Sequence, residues 1–198
     1  VVDANWELVG HGWFQQSLKQ VEDEGAVIRQ SLDRLEKASG KRTRAWLGPG
    51  LGESNYTPDI LKAEGVDFLH DWVLDDLPVW LRTKHGPMVG LPYTFELNDV
   101  PIYAIQQSTS AEMLTRLKAT LAVFEREFEQ NPRVLTLALH PHIIGVPHIA
   151  HYFEQALDLL MKRDDTVFVT SSTLGDWFIE ADGTNGAEVA QYNVGFPT

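Results

Sequence analysis

Apolar runs of strand length alternate with amphipathic helical patterns along the chain, and this alternation constrains the fold more than any other feature. It is the βαβα rhythm of a parallel sheet wrapped by helices. Strand candidates fall at residues 6–10, 44–47, 66–72, 88–91, 134–139 and 166–170. The run at 134–139 is almost uninterrupted, as expected for a strand buried on both faces. Between the first two candidates, Leu18, Val21, Ile28, Leu32 and Leu35 recur at helical steps, and Gly40 stands where a left-handed residue would end that helix. Thr57 caps a short helix, Pro58 suits its first turn and Gly65 closes it. A longer helix over 110–130 aligns Leu114, Leu117, Leu121, Phe124 and Phe128, and another follows over 147–163. Residues 92–101 read as an ordered loop.

A chain of 198 residues with this apolar content buries a full core, so one domain is expected over residues 1–180, followed by a Gly/Asn-rich C-terminal tail at 181–198. Counted as five βα units, these tilted parallel strands are too few to close a barrel on their own. Val1 is not an initiator Met and a strand candidate begins almost at once, so further strands are expected upstream of Val1.

The formal net charge of -12 argues against nucleic-acid and anionic-membrane partners, because no basic cluster offsets it locally. The absence of cysteine removes disulfides, thiolate catalysis and Cys-based zinc sites. No apolar run approaches the roughly 20 residues that span a bilayer, and no signal-peptide profile is visible, so the expected location is cytoplasmic.

In parallel barrels the reactive side chains collect where strands end and loops begin. His11, Trp13 and Gln15 follow the first strand candidate, and Trp46 and Pro49 follow the second. Trp72, Asp75 and Asp76 follow the third; Tyr93, Glu96, Asn98 and Asp99 lie in the loop after the fourth; His140 and His142 follow the fifth. Pro141 forces His140 out of helical geometry and leaves an imidazole at the mouth of a buried strand, suited to protonating a leaving amine. The structural alternative is a histidine satisfied by a neighbouring carbonyl. His11, between residues that leave its ring uncrowded, suits a metal ligand or an oxyanion contact, or else serves a turn. Asp75 and Asp76 either cap a turn or orient a catalytic group. Trp13, Trp46 and Trp72 are core or pocket wall and are read as pocket lining. Glu96, Asn98 and Asp99 form a solvated turn or touch substrate.

Five segments carry a family resemblance in order: WELVGHGWFQQ, RAWLGPGLGESNYTPDIL, DWVLDDLPVW, LPYTFELND and LALHPHIIGVPH. From about Trp6 to Trp177 the chain resembles the NodB-type polysaccharide deacetylases (carbohydrate esterase family 4-like), most closely the branch that includes cofactor-independent allantoinases. The resemblance implies an α/β fold, a distorted (β/α) barrel of about seven strands whose first strands precede Val1. It implies hydrolysis of a non-peptide C–N bond, as in de-N-acetylation of an amino sugar. The alternatives are a cyclic-ureide amidohydrolase or an inactive saccharide-binding relative. By resemblance, His140 matches the late histidine acting as general acid, with His11 and Asp75 completing the catalytic candidates. Trp13, Gln15, Trp46, Pro49, Trp72, Asp76, Tyr93, Glu96, Asn98 and His142 are the substrate-binding candidates.

His11 also matches the first histidine of the family's H-x-x-x-H metal motif, but Gln15 stands in place of the second. Amide side chains are poor zinc ligands, so the expectation is no cofactor or a single divalent metal, with zinc the natural candidate and His11 its ligand. The family's early motif with its catalytic aspartates has no counterpart, which puts the general base upstream of Val1. The expected partner is a small-molecule or saccharide substrate, and assembly as a homo-oligomer is expected because related barrels often associate.

Overall fold

The structure is a computed structural model that describes residues 2–4 and 6–191. The chain folds as two compact units, one formed by Val1–Leu91 with Val169–Thr198 and the other by Pro92–Phe168.

In the first unit, Asp23 caps helix α1 (Glu24–Ser39) by accepting the Ala26 amide at 2.9 Å, and Gly40 ends it at φ 74°. The cap explains why the helix does not begin at Leu18. Leu18–Gln20 is a separate 3-10 turn whose Leu18 is buried. Strand β1 (Ala45–Trp46) leads through Gly48 and Pro49 to helix α2 (Thr57–Ala63), which ends before Gly65, φ 86°. Strands β2 (Phe68–Leu69), β3 (Val79–Thr83) and β4 (Gly86–Gly90) complete a sheet of order β1-β2-β4-β3. Ala45 and Trp46 pair in parallel with Phe68 and Leu69, which pair in parallel with Val89 and Gly90. The sheet is mixed, because β3 and β4 form an antiparallel hairpin. The sequence reading missed β3, whose first two residues, Val79 and Trp80, lie at the end of a segment read as a family motif.

The α/β class holds, with four strands among the described residues. Segment 6–10 contributes only Gly10, bridged in parallel to Trp46, and segment 166–170 forms no strand. An apolar run becomes a strand only where its amides and carbonyls find a ladder. Val167 is 82% exposed and the run ends at Thr170, which caps the helix Ser171–Asp182 rather than pairing.

The second unit holds helix α3 (Glu112–Phe124), the short α4 (Pro141–Ile144) and α5 (Pro147–Met161). Met113, Leu114, Leu117 and Leu121 of α3 share a core with Ile149, Ala156 and Leu160 of α5, joined by Leu97 and Ile102. Residues 134–139 run beside this core as irregular chain, with Ala138 alone bridged in parallel to Asn98.

The chain returns to the first unit as α6 (Ser171–Asp182), followed by α7 (Ala187–Gln191). The segment read as a tail is thus helical over much of 181–191, and residues 192–198 lie outside the described residues. Arg44 clamps α6 from β1, with bonds of 3.0 and 2.9 Å to Asp176 and a third of 2.9 Å to Asp67. Gly175 sets the fit: a Cβ there would stand 2.1 Å from the Phe68 ring. Among the described residues no helix is long and apolar enough to cross a membrane.

Because Phe68 is fully buried, its ring cannot swing away from an added methyl. Gly175→Ala is expected to destabilise the chain by about 1–3 kcal/mol through overpacking, outweighing the gain in helix propensity. Urea unfolding monitored by circular dichroism checks this; an unchanged midpoint contradicts the packing shown.

Candidate active site

The sharpest arrangement lies in the second unit. His140 is extended, at φ -118° and ψ 119°, and directly precedes the Pro141 that opens α4. Proline disfavours helical geometry in its predecessor, so the helix cannot absorb His140. Asp99 stands at the start of a π-helical turn, Val100–Ile105, a local irregularity common near functional sites. The parallel bridge between Asn98 and Ala138 brings these two chain ends together, with bonds of 3.1 Å from the Asp99 amide to Ala138 O and from the Ala138 amide to Leu97 O.

Asp99 is 0% exposed and grips His140 twice. One carboxylate oxygen accepts the His140 main-chain amide at 2.6 Å, and the other lies 2.7 Å from Nδ1. A carboxylate accepts only, so Nδ1 carries a proton toward it and Nε2 is the nitrogen left for chemistry. The ring itself is partly open to solvent, 40% exposed. His142 stacks edge-on to it with centroids 6.0 Å apart, and is exposed.

The remaining candidates of this unit have local partners. The Asn98 amide donates to Tyr93 Oη at 3.1 Å while its oxygen accepts the Val100 amide at 3.0 Å. Glu96 accepts the Thr94 hydroxyl at 2.5 Å, and that bond holds its carboxyl below the ordinary glutamate range. Asp99, left undecided between a turn and a substrate contact, is the residue that orients His140.

In the first unit, His11 Nδ1 donates to the Leu47 carbonyl and Nε2 lies 3.0 Å from the Gln15 side-chain amide. The amide can rotate to donate to a neutral ring. His11 and Gln15 are therefore brought together as their spacing implied, but as a hydrogen-bonded pair. Trp13 and Phe14 are exposed and meet edge-on at 6.4 Å. Pro49 is buried, and its ring lies close enough to Gly12 to meet a Cβ there at 3.0 Å.

Trp46 requires a correction. Read as pocket lining, it is 0% exposed and packs with Ile28, Leu32, Leu61 and Leu69, where no substrate reaches it. Asp75 and Asp76 are exposed in the turn after β2, with the Asp76 amide donating to Asp75 at 2.6 Å.

Two acidic residues that the sequence reading passed over stand behind this loop. Asp71 follows β2 and accepts the Gly48 amide at 2.5 Å, while Glu53 accepts the Trp72 indole N–H at 3.0 Å. Both are buried. Burial, then hydrogen bonding to and repulsion by Asp71, push Glu53 up to about 9. Burial also raises Asp71, against the lowering effects of Glu53, the Gly48 amide and His11. No sequence signal marks Glu53; Asp71 lies in the strand-end position that flagged its neighbours.

Among the described residues no three His, Cys, Asp or Glu side chains converge to hold a metal ion. One imidazole with both nitrogens engaged, beside an amide, is not a zinc donor set. These residues do not fit a resident metal by themselves.

No family model matches the chain. A peptidoglycan deacetylase of Helicobacter pylori is 20% identical over 215 residues, which cover 91% of this chain and 72% of that protein. Among solved structures, the PuuE allantoinase superposes with a TM-score of 0.83 at 21% identity. A chain from Pseudomonas aeruginosa PAO1 described as a probable polysaccharide deacetylase superposes with a TM-score of 0.81 at 22% identity. Each match covers 90% of this chain, which spans 61% of either solved chain. The protein thus has the α/β fold shared by these enzymes. The resemblance read from the five motifs is borne out at the level of the fold, which the chain shares with solved structures described as polysaccharide deacetylases and an allantoinase.

The donor set at His11 generates a measurable expectation. After desalting, the 198-residue chain should retain well under one zinc per molecule by elemental analysis. Stoichiometric zinc that disappears in His11→Ala contradicts it.

Proposed function

We propose that the protein is a hydrolase of non-peptide C–N bonds that removes the acetyl group from an N-acetylated amino sugar. The observation that carries this reading is the Asp99–His140 pair: a buried carboxylate fixes one imidazole tautomer and leaves Nε2 toward solvent. Names among the relatives support the substrate class, since a peptidoglycan deacetylase acts on a saccharide polymer.

In this reading His140 Nε2 takes a proton from water as its oxygen attacks the amide carbonyl carbon and the C–O bond forms, and returns that proton to the departing nitrogen as the C–N bond breaks. Asp99 keeps the ring in register and opposes the positive charge the ring carries before that transfer. The exposed Trp13 and Trp72, with an indole N–H anchored on Glu53, offer faces on which a pyranose ring can stack. In the first unit Gln15 adds a polar group beside His11 and Asp75 and Asp76 belong to the turn that follows Trp72, while in the second unit His142 stands beside His140. A barrel of about seven strands belongs to this reading too.

The fold likeness to the PuuE allantoinase supports a second substrate class, a cyclic ureide, whose opening needs the same proton donor. Acetate release from N-acetylated amino-sugar oligomers, run beside ureide consumption, separates the two. Asp99→Asn is expected to lower kcat by about 10²- to 10⁴-fold with little change in KM, and His140→Ala at least as far. The double variant should lose no more than the worse single one, because the two residues act as a unit. Turnover that survives His140→Ala rejects the mechanism. Saccharide binding by a wild-type chain that releases neither product favours an inactive binding protein instead.

A further inference from the structure

Glu53 and Asp71 pose a bonding problem that the proposed reaction does not use. Glu53 Oε1 and Asp71 Oδ2 are buried, and no N–H or O–H of another residue is directed at either. The two carboxyl groups lie near enough for each to shift the other's titration. As carboxylates both would only accept, so neither orphaned oxygen could satisfy the other. Two neighbouring buried like charges are also costly. One proton between them meets both needs.

The other bonds say which group holds it. Asp71 Oδ1 already accepts the Gly48 amide at 2.5 Å and feels the nearby His11, so its charged form has support. Glu53 has the Trp72 indole N–H alone, and it faces a further carboxylate, Glu24, itself held by the Ser54 and Thr57 hydroxyls. Gly48 makes the approach feasible, since a Cβ there would lie 2.6 Å from Asp71 Oδ2. From the pair the contacts run outward in two directions. Glu53 anchors the exposed Trp72, and Asp71 pins the Gly48 amide next to the Leu47 carbonyl that receives His11 Nδ1.

We propose that Glu53 is a positioning residue acting as a neutral carboxylic acid, whose proton, shared with Asp71, ties the Trp72 indole to the turn that orients His11. The pair does not touch substrate. Its role in turnover rests on the hydrolase reading above, whereas its chemistry does not, and the tests are chosen accordingly.

An acid whose carboxyl is raised on folding stabilises the fold fully below its unfolded value, near 4.5. That contribution drains away as pH climbs toward about 9. Thermal midpoints of the intact 198-residue chain, taken from about pH 5 to about pH 9, should therefore fall with rising pH. Glu53→Gln keeps an acceptor for Trp72 and a donor for Asp71 but has no proton to lose. Its slope should be shallower, by up to about ten-fold in folding equilibrium per pH unit. Equal slopes overturn the proposal. So does a cation that stabilises wild type and not Glu53→Gln, with sodium and magnesium as the probes, because a metal ion would then occupy the proton's place. Should a variant not fold, the wild-type chain labelled with carbon-13 at glutamate carboxyls decides by infrared spectroscopy. A protonated-carboxyl band at neutral pH supports the shared proton, and its absence excludes it. Positioning is read from the nitrogen-15 resonances of the His11 ring, expected to move in Glu53→Ala and to stay put in Glu53→Gln; unmoved resonances in Glu53→Ala overturn that part. None of these readouts uses turnover, so a chain that released no acetate would sink the hydrolase reading and leave the carboxyl pair standing.

Discussion

Both units rely on one device: a buried aspartate that accepts the main-chain amide at the end of a neighbouring parallel segment. Asp71 takes the Gly48 amide at 2.5 Å, just beyond the β1–β2 ladder, and Asp99 takes the His140 amide at 2.6 Å, just beyond the Asn98–Ala138 bridge. Where a parallel ladder stops, amides lose their carbonyl partners while still buried, and an unpaired buried amide costs about 1–3 kcal/mol. A short carboxylate on the adjacent segment reaches such an amide without bending either chain. It also brings charge to a place where a reactive side chain emerges. Order in the turns and polarity at the strand ends thus come from the same side chains.

What surrounds each aspartate then decides what it does. Asp99 receives two N–H bonds from one residue, so both its oxygens are turned on His140 and its effect is to hold a ring. Asp71 receives one amide and faces another acid, so its second oxygen requires a proton from outside the backbone. Two buried aspartates thus serve an imidazole clamp in one unit and an acid pair in the other.

The parts of this that could be read in the sequence are those imposed by local covalent chemistry. Pro141 announces that His140 stands outside the helix, and the helix end at Gly40 and Pro58 in the first turn of α2 follow from dihedral limits a few residues wide, whereas the Asp23 cap was not read and Thr57, read as a cap, is the first helical residue. The partners could not be read, because they are 41 residues away for His140 and 23 for Gly48. Trp46 shows the same limit in another form. A two-residue strand has no alternation from which to read a side chain's face, and the indole that looked like pocket wall is core. Residues 134–139 and 166–170 have the composition of strands, yet strand formation depends on a neighbour that composition does not encode.

Gln15 changes what the first strand end can do. A histidine there would offer a second imidazole to a metal; the amide instead completes a hydrogen-bonded frame around His11, with Leu47 on the other nitrogen. A ring held at both nitrogens is oriented rather than available, so its value to a substrate lies in polarity and shape. That makes the supports of the frame matter more than they would at a metal site, where ligand bonds would fix the imidazole on their own. The Leu47 carbonyl is held by the turn through Gly48, and that turn by Asp71. The position of an exposed imidazole in this unit therefore depends on carboxyl groups buried behind it.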